Sequence, residues 1–212
     1  MVSISAPTGP DDVAAVAALL AEGFAVDPLI TAVLPGTTQE RQRRLRAFYR
    51  AWLSHREPGR VVDLARRSPQ DEGPNDGEIV GVAIWHAPGA HDGRTPLGLA
   101  LRVIRALGWR GARSWSRMEA AFGVAQPGDP HWYLSDVVVS DRARGEGVGS
   151  ALLGHRLARL DADGAAAYLE ATTPGSRRMY ERLGFESRGP VVGLPGDQIP
   201  PEGMWRAPVT PR

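Results

Sequence analysis

Neither cysteine nor lysine occurs in this sequence, and all 25 of its Lys+Arg residues are arginine. Without cysteine there is no disulfide, no thiolate zinc site and no cysteine nucleophile, and nothing suggests a secreted disulfide scaffold. Without lysine there is no Walker A loop, which needs that amine on the phosphates, and no Schiff-base or pyridoxal chemistry. Charge of one sign is also lacking, because 25 basic and 24 acidic residues leave a formal net charge of +1. With the two signs interleaved, no basic face is expected for phosphate-driven binding of nucleic acid. No run approaches the ~20 apolar residues that span a bilayer, and residues 1–10 have neither a basic n-region nor an apolar h-region. The expectation is a cytoplasmic protein without a membrane or nucleic-acid partner.

What is present suits one domain over residues 1–212, with 42% hydrophobic residues. A domain of this size buries about 70% of its unfolded surface. Residues 2–6 alternate as an edge strand closed by Pro7 and Gly9-Pro10. Asp11 or Asp12 then stands where it would cap a helix to Phe24, along which Val13, Val16, Leu19 and Leu20 recur at helical spacing. Pro28 opens a short helical turn. Over 38–55, Leu45, Phe48, Tyr49, Trp52 and Leu53 share one helix face; Arg41, Arg43, Arg44 and Arg46 take the other positions and read as a solvated face. Residues 60–66 and 78–85 read as strands around a loop over 67–77, and 97–122 as a helix broken near Gly108 to Gly111.

The last third carries the chemistry. A β-rich run over 131–139 leads into Arg144-Gly-Glu-Gly-Val-Gly-Ser150, then a helix with Gly149, Leu152, Leu153, Leu157 and Leu160 on one face. A strand over 166–171, a turn at Pro174-Gly175 and a short helix holding Met179, Tyr180 and Leu183 follow, which makes a crossover unit of the α/β kind. A strand feeding a Gly-rich turn that opens a helix is an anion site, because free N–H groups and the positive helix end converge there. Glycines at 145, 147 and 149 permit positive φ and let a phosphate approach without meeting a Cβ. A phosphate or pyrophosphate is the expected ligand. A dinucleotide fingerprint from Gly145 would need Gly at Ser150 and an early strand, and neither condition is met. The plainer alternative, a turn that only connects strand to helix, fits a turn standing alone.

This turn does not stand alone. Arg144-x-x-Gly147-x-Gly149 resembles the acyl-CoA pyrophosphate signature of the GNAT N-acetyltransferase superfamily: Arg or Gln, two residues, Gly, one residue, Gly or Ala. The strand to Val139, Tyr168-Leu-Glu-Ala171 and Met179-Tyr-Glu-Arg-Leu-Gly-Phe185 resemble that family's central strand, next strand and Tyr-bearing helix. The strand entry at His131-Trp-Tyr-Leu134, and Ala83-Ile-Trp85 with Pro88, are most similar to the actinobacterial branch that includes puromycin N-acetyltransferase. The resemblance implies an α/β (α+β) fold with a mixed central sheet of about six to seven strands, flanked by helices and splayed between two central parallel strands. It implies transfer of an acetyl group from acetyl-CoA to a primary amine of a small molecule, such as an antibiotic or other specialised metabolite, by direct attack in a ternary complex, in a monomer or homodimer without a metal. On this resemblance Val137, Val138, Val139, Arg144, Gly145, Gly147, Val148, Gly149, Ser150 and Ser176 hold the cofactor. Ser176 stands where the family commonly has Asn, and its shorter side chain implies a weaker hold. Ser140-Asp141 replaces a frequent Asp-Pro, a change a turn tolerates.

The chemistry sets its own demands. An alkylammonium with a pKa near 10 costs about 4 kcal/mol to deprotonate at neutral pH. Asp136 and Glu170 interrupt apolar strands and are the candidate bases, as half-buried carboxylates with raised pKa; alternatively, each only bonds a neighbouring backbone group or Arg. An acceptor of low pKa would need only water. Tyr180 matches the family's general acid, with a core tyrosine as its other reading. A backbone N–H near Val137 would serve the developing oxyanion. Trp85 and His86, at a strand end, are candidates to line the acceptor pocket, as are Trp109 and Trp115 unless they only pack helices. His55, His86, His91, His131 and His155 show no metal-ligand spacing. Two other functions stay open: an acyl-CoA-binding regulatory protein without catalysis, which Ser176 allows, and a protein or peptide N-acetyltransferase, which needs an open groove.

Overall fold

In the computed structural model, which describes residues 2–67, 77–90, 96–196 and 199–209, the strands form one mixed seven-stranded sheet. They are β1 (Val2–Ser5), β2 (Arg60–Arg67), β3 (Glu78–His86), β4 (Trp132–Val139), β5 (Ala167–Ala171), β6 (Glu186–Pro190) and β7 (Glu202–Arg206). Across the sheet the order is β1-β2-β3-β4-β5-β7-β6. Every pair is antiparallel except β4 and β5. The loop expected over 67–77 lies, except for its ends, outside the described residues, as does His91.

Period-two alternation assigns the two cores. Leu64, Val82 and Ile84 face one side, under α1 (Pro10–Phe24), α2 (Pro28–Val33), α3 (Thr38–Leu53) and α4 (Leu97–Ala125). Their neighbours Ala65, Ala83 and Trp85 face the other side, under α5 (Val148–Ala162) and α6 (Pro174–Arg182). A parallel pair cannot be joined by a hairpin, and α5 is the crossover that β4 and β5 require. Among the described residues, no helix is long and apolar enough to cross a membrane.

Two local expectations change. The α1 cap is Gly9 without a side-chain bond, because Pro10 starts the helix earlier; Asp12 instead accepts from Thr8 N–H at 2.7 Å and pairs with Arg66 at 2.7 Å. Arg41 leaves the solvated face: it is buried and donates to the carbonyls of Ala25 and Gly36, fastening α3 to the turns flanking α2. The helix break expected near Gly108 to Gly111 is present at Gly108, whose φ of 73° no helix accommodates. β6 and β7 extend the sheet over a stretch to which the sequence assigned no element. A buried ion pair ties sheet to crossover, with Arg156 donating to Asp63 at 2.9 and 2.6 Å.

The β4–β5 ladder is short. It joins Trp132, Tyr133 and Leu134 to Ala167, Tyr168 and Leu169 and then stops, while β4 continues to Val139. The expected splay is therefore present, with Leu134 and Leu169 at its apex. β4 also bulges beside β3: Ile84 faces Asp136 and Trp85 faces Leu134, so Ser135 is the extra residue. A bulge turns the chain and re-aims side chains.

Candidate active site

The Gly-rich turn sits beyond the open end of β4. Gly145 and Gly147 have φ of +80° and +79°, and a Cβ at either would meet nothing within 4 Å. Gly147 is also the N-cap of α5, with no side-chain cap, so the first-turn N–H groups point outward unsatisfied by the helix. Strand geometry adds further donors. Ser140 N–H bonds Val80 O, so alternation turns the N–H of Val138 toward β3 and those of Val137 and Val139 toward the gap left by β5.

Two carboxylates flank the splay on the α3 side. Asp136 is satisfied: it accepts from Tyr49 Oη at 2.8 Å and Ser135 Oγ at 2.7 Å. Burial pushes its pKa up, against those two donors and the positive charge of Arg60. Glu170 is the first β5 residue past the ladder. Tyr133 Oη donates to its Oε2 at 2.9 Å, while the buried Oε1 has no hydrogen-bond partner among the described residues. Burial pushes this carboxyl up to about 8, and the nearby Glu119 of α4 adds to the rise. Tyr133 stacks on Tyr168 with centroids 6.3 Å apart, and the hydroxyls of both rings act on Glu170. A cavity of about 560 Å³ opens elsewhere, between the start of β2 and α1, and includes no residue of β4, β5 or the turn.

The model of the acetyltransferase (GNAT) family matches residues 28–185. The chain belongs to the GNAT acetyltransferase family. Among solved GNAT-like structures, the Corynebacterium glutamicum protein described as histone acetyltransferase HPA2 and related acetyltransferase is 32% identical, with a TM-score of 0.71 over 99% of this chain and 98% of that one. Arylalkylamine N-acetyltransferase 2 of Aedes aegypti is 16% identical, with a TM-score of 0.59 over 97% of this chain and 98% of that one. A GNAT phosphinothricin acetyltransferase of Sinorhizobium meliloti, solved with acetyl-CoA, is 17% identical, with a TM-score of 0.54 over 98% of this chain and 89% of that one. The latter two likenesses concern the fold.

The GNAT family uses acetyl-CoA, and the open Cβ directions of Gly145 and Gly147, the uncapped α5 and the unpaired edge of β4 suit a pyrophosphate with a peptide-like arm. The other residues expected at the cofactor are placed as follows. Gly149 is helical, and its Cβ would meet Met179 Sδ at 3.3 Å, so its smallness serves the packing of α5 on α6. Arg144 is exposed and pairs with Asp141 at 2.8 Å; Ser150 is exposed in the first turn of α5, while Val148 is buried beneath it. Ser176 is engaged in the α6 capping box with Thr173, which spends the hydroxyl that was to stand in for Asn. Tyr180 is buried against Phe185 on the α6 side; burial and the charge of Glu170 push its pKa up.

The structure brings His86 to the splay and removes Trp85 from it. His86 lies beside Trp52 and Tyr133, whereas Trp85 is fully buried in the opposite core, as a strand's alternating faces require. Trp115 packs on Phe48 at 4.4 Å, and Trp109 is 68% exposed. Sequence reading missed Tyr49, Glu57, Glu119, Tyr133, Ser135 and Tyr168. Period two on β5 would have put Tyr168 beside Glu170; for Glu57, between α3 and β2, no local signal existed. Among the described residues, no three His, Asp or Glu side chains are grouped to hold a metal ion.

Proposed function

We propose that the protein acetylates a primary amine of a small molecule by direct attack within a ternary complex with acetyl-CoA. The observation that carries this reading is Glu170 Oε1, a buried oxygen at the apex of the splay with no hydrogen-bond partner among the described residues. An ammonium group would satisfy it, and the rings of Tyr133 and Tyr168 suit a cation. When bound, acetyl-CoA supplies an activated acetyl thioester. Gly145, Gly147 and the α5 N-terminus hold its pyrophosphate, and the N–H groups of Val137 and Val139 face its arm.

Glu170 is the base. At an ordinary carboxylate pKa, taking the proton of an amine of pKa near 10 is steeply uphill, and a carboxyl raised to about 8 removes most of that difference. Asp136, already holding two hydroxyl donors, positions Tyr49 and Ser135. Tyr180, whose raised pKa keeps its hydroxyl protonated, is the donor on the α6 side. Glu119 faces Tyr133 and Glu170 from α4, which favours a compact cationic acceptor over a protein substrate. The Corynebacterium relative's description as a histone acetyltransferase supports the protein-acceptor alternative. Incubation with acetyl-CoA and a panel of diamines, aromatic amines, aminonucleosides and histone peptides, followed by free thiol, tests the proposal. Turnover with small cationic amines is expected; peptide-only turnover would overturn the acceptor class, and none at all would overturn catalysis.

A further inference from the structure

The bulge at Ser135 builds a second constellation on the same strand. Ser135 Oγ lies 3.2 Å from His86 Nε2, and His86 Nδ1 lies 3.2 Å from Glu57 Oε1. The imidazole is 2% exposed and held between Trp52 and Tyr133, with ring centroids 6.0 and 6.1 Å away. Glu57 is fixed by Arg60 at 3.2 Å, whose guanidinium lies 4.5 Å over the Trp52 ring. Hydroxyl, imidazole and carboxylate thus follow in the order that a nucleophile, its base and the base's orienting acid require. The contact of Nδ1 with Glu57 is an ion-pair approach off the ideal hydrogen-bond line, of the loose kind common before substrate binds. Ser135 is also the first β4 residue beyond the ladder with β5, half-buried at the apex, with the Val137 N–H turned into the same gap. That N–H is an oxyanion donor in waiting.

We propose that Ser135, His86 and Glu57 form an acyl-accepting triad, so that the protein also hydrolyses activated acyl esters and thioesters when no amine is bound. This rests on the reading of the splay as the acyl site. In the first step the bond from Ser135 Oγ to the acyl carbon forms, the Oγ proton passes to His86 Nε2, and the leaving thiolate or phenolate departs with that proton. In the second step a water oxygen bonds the acyl carbon, its proton passes to Nε2, and Oγ leaves and recovers the proton. The sum is ester plus water giving acid plus alcohol or thiol, with no electron transferred. The Glu57 carboxylate, 3.2 Å from Nδ1, favours the ring proton on that nitrogen, the tautomer in which Nε2 accepts. At rest the hydroxyl proton is donated to Asp136 Oδ2 at 2.7 Å, and the step requires it to turn to His86 Nε2, 3.2 Å away, when the acyl group binds.

The composition makes the test clean, because a chain without lysine or cysteine offers acetyl groups no other side-chain amine or thiol. With p-nitrophenyl acetate alone, wild type is expected to release nitrophenol at least about tenfold faster than Ser135→Ala or His86→Gln. Acid quenching should leave an acetyl group on the peptide holding Ser135. Ser135→Cys creates the chain's sole thiol, and its alkylation by iodoacetamide should slow about tenfold when His86→Gln is added. Equal hydrolysis by wild type and Ser135→Ala, or equal alkylation with and without His86, overturns the triad. Neither assay uses coenzyme A or an amine, so failure of amine acetylation registers separately.

Discussion

Replacing Glu170 by Gln removes a charge that the fold opposes. Burial lifts this carboxyl from 4.5 to about 8, and the Tyr133 and Tyr168 hydroxyls offset only part of that rise. Between those values the folded chain holds a proton that the unfolded chain has released. Stability is therefore fully present below pH 4.5 and declines as pH rises to about 8, where it levels. At about 1.4 kcal/mol per pH unit the whole window amounts to about 5 kcal/mol. Water still reaching the half-buried residue reduces this to about 2 to 4 kcal/mol. Gln keeps the size and can accept from Tyr133, but it has no charge to bury. Urea unfolding of wild type and Glu170→Gln at a series of pH values measures the effect. The variant's advantage is expected to be near zero at the acid end and to grow through neutrality, reaching about 2 to 4 kcal/mol in mild alkali. A difference constant across the series would refute the assigned burial. In turnover the same variant should lose about 10²-fold or more, and an unchanged kcat would refute the base role.

Gly147→Val places a β-branched residue at φ +79°, straining the turn by about 1 to 2 kcal/mol, and fills the open space above it. Calorimetry should show acetyl-CoA affinity reduced about tenfold or more, and unchanged affinity would remove the pyrophosphate from this turn. Asp63→Ala leaves the Arg156 guanidinium buried and unpaired, and the urea-unfolding free energy should fall by about 3 to 5 kcal/mol. A loss below about 1 kcal/mol would show that the ion pair is dispensable. Tyr180→Phe should lower kcat by about 10²-fold with little change in the acceptor KM, whereas equal rates would return Tyr180 to a packing role.

The Gly-rich turn was legible in the sequence because its determinants are local. A strand, two glycines that must adopt positive φ and the helix they open lie in one contiguous stretch, and Gly145 and Gly147 took the expected conformations. Gly149 does not take the positive φ expected of it, because it lies inside α5 and its constraint comes from Met179 on another helix, which no spacing within the motif encodes. The carboxylate side of the splay was mostly illegible for the same reason at larger scale. Tyr49 reaches Asp136 across 87 residues of sequence, and Tyr133 reaches Glu170 across 37. Arg41 has the spacing of a solvated face and is nevertheless buried, because the carbonyls of Ala25 and Gly36 need donors that only the folded turns bring near.

The bulge decides more of the site than any single side chain. Had β4 alternated regularly from Leu134, which packs on the α5 side, Asp136 would share that face and stand among Trp85, Leu152 and Leu153. A carboxylate there would find no hydroxyl donor, and burying it would cost several kcal/mol on the scale of about 2 to 7 for an unpaired polar group. The extra residue rotates Asp136 and Val138 to the α1–α3 side instead, where Tyr49 Oη satisfies the carboxylate. The same rotation turns the N–H groups of Val137 and Val139 into the gap and brings Ser135 Oγ to both His86 and Asp136. The polar residues that make this strand a poor regular core strand are thus the ones that the bulge makes tolerable, and the site is what that accommodation leaves exposed to substrate.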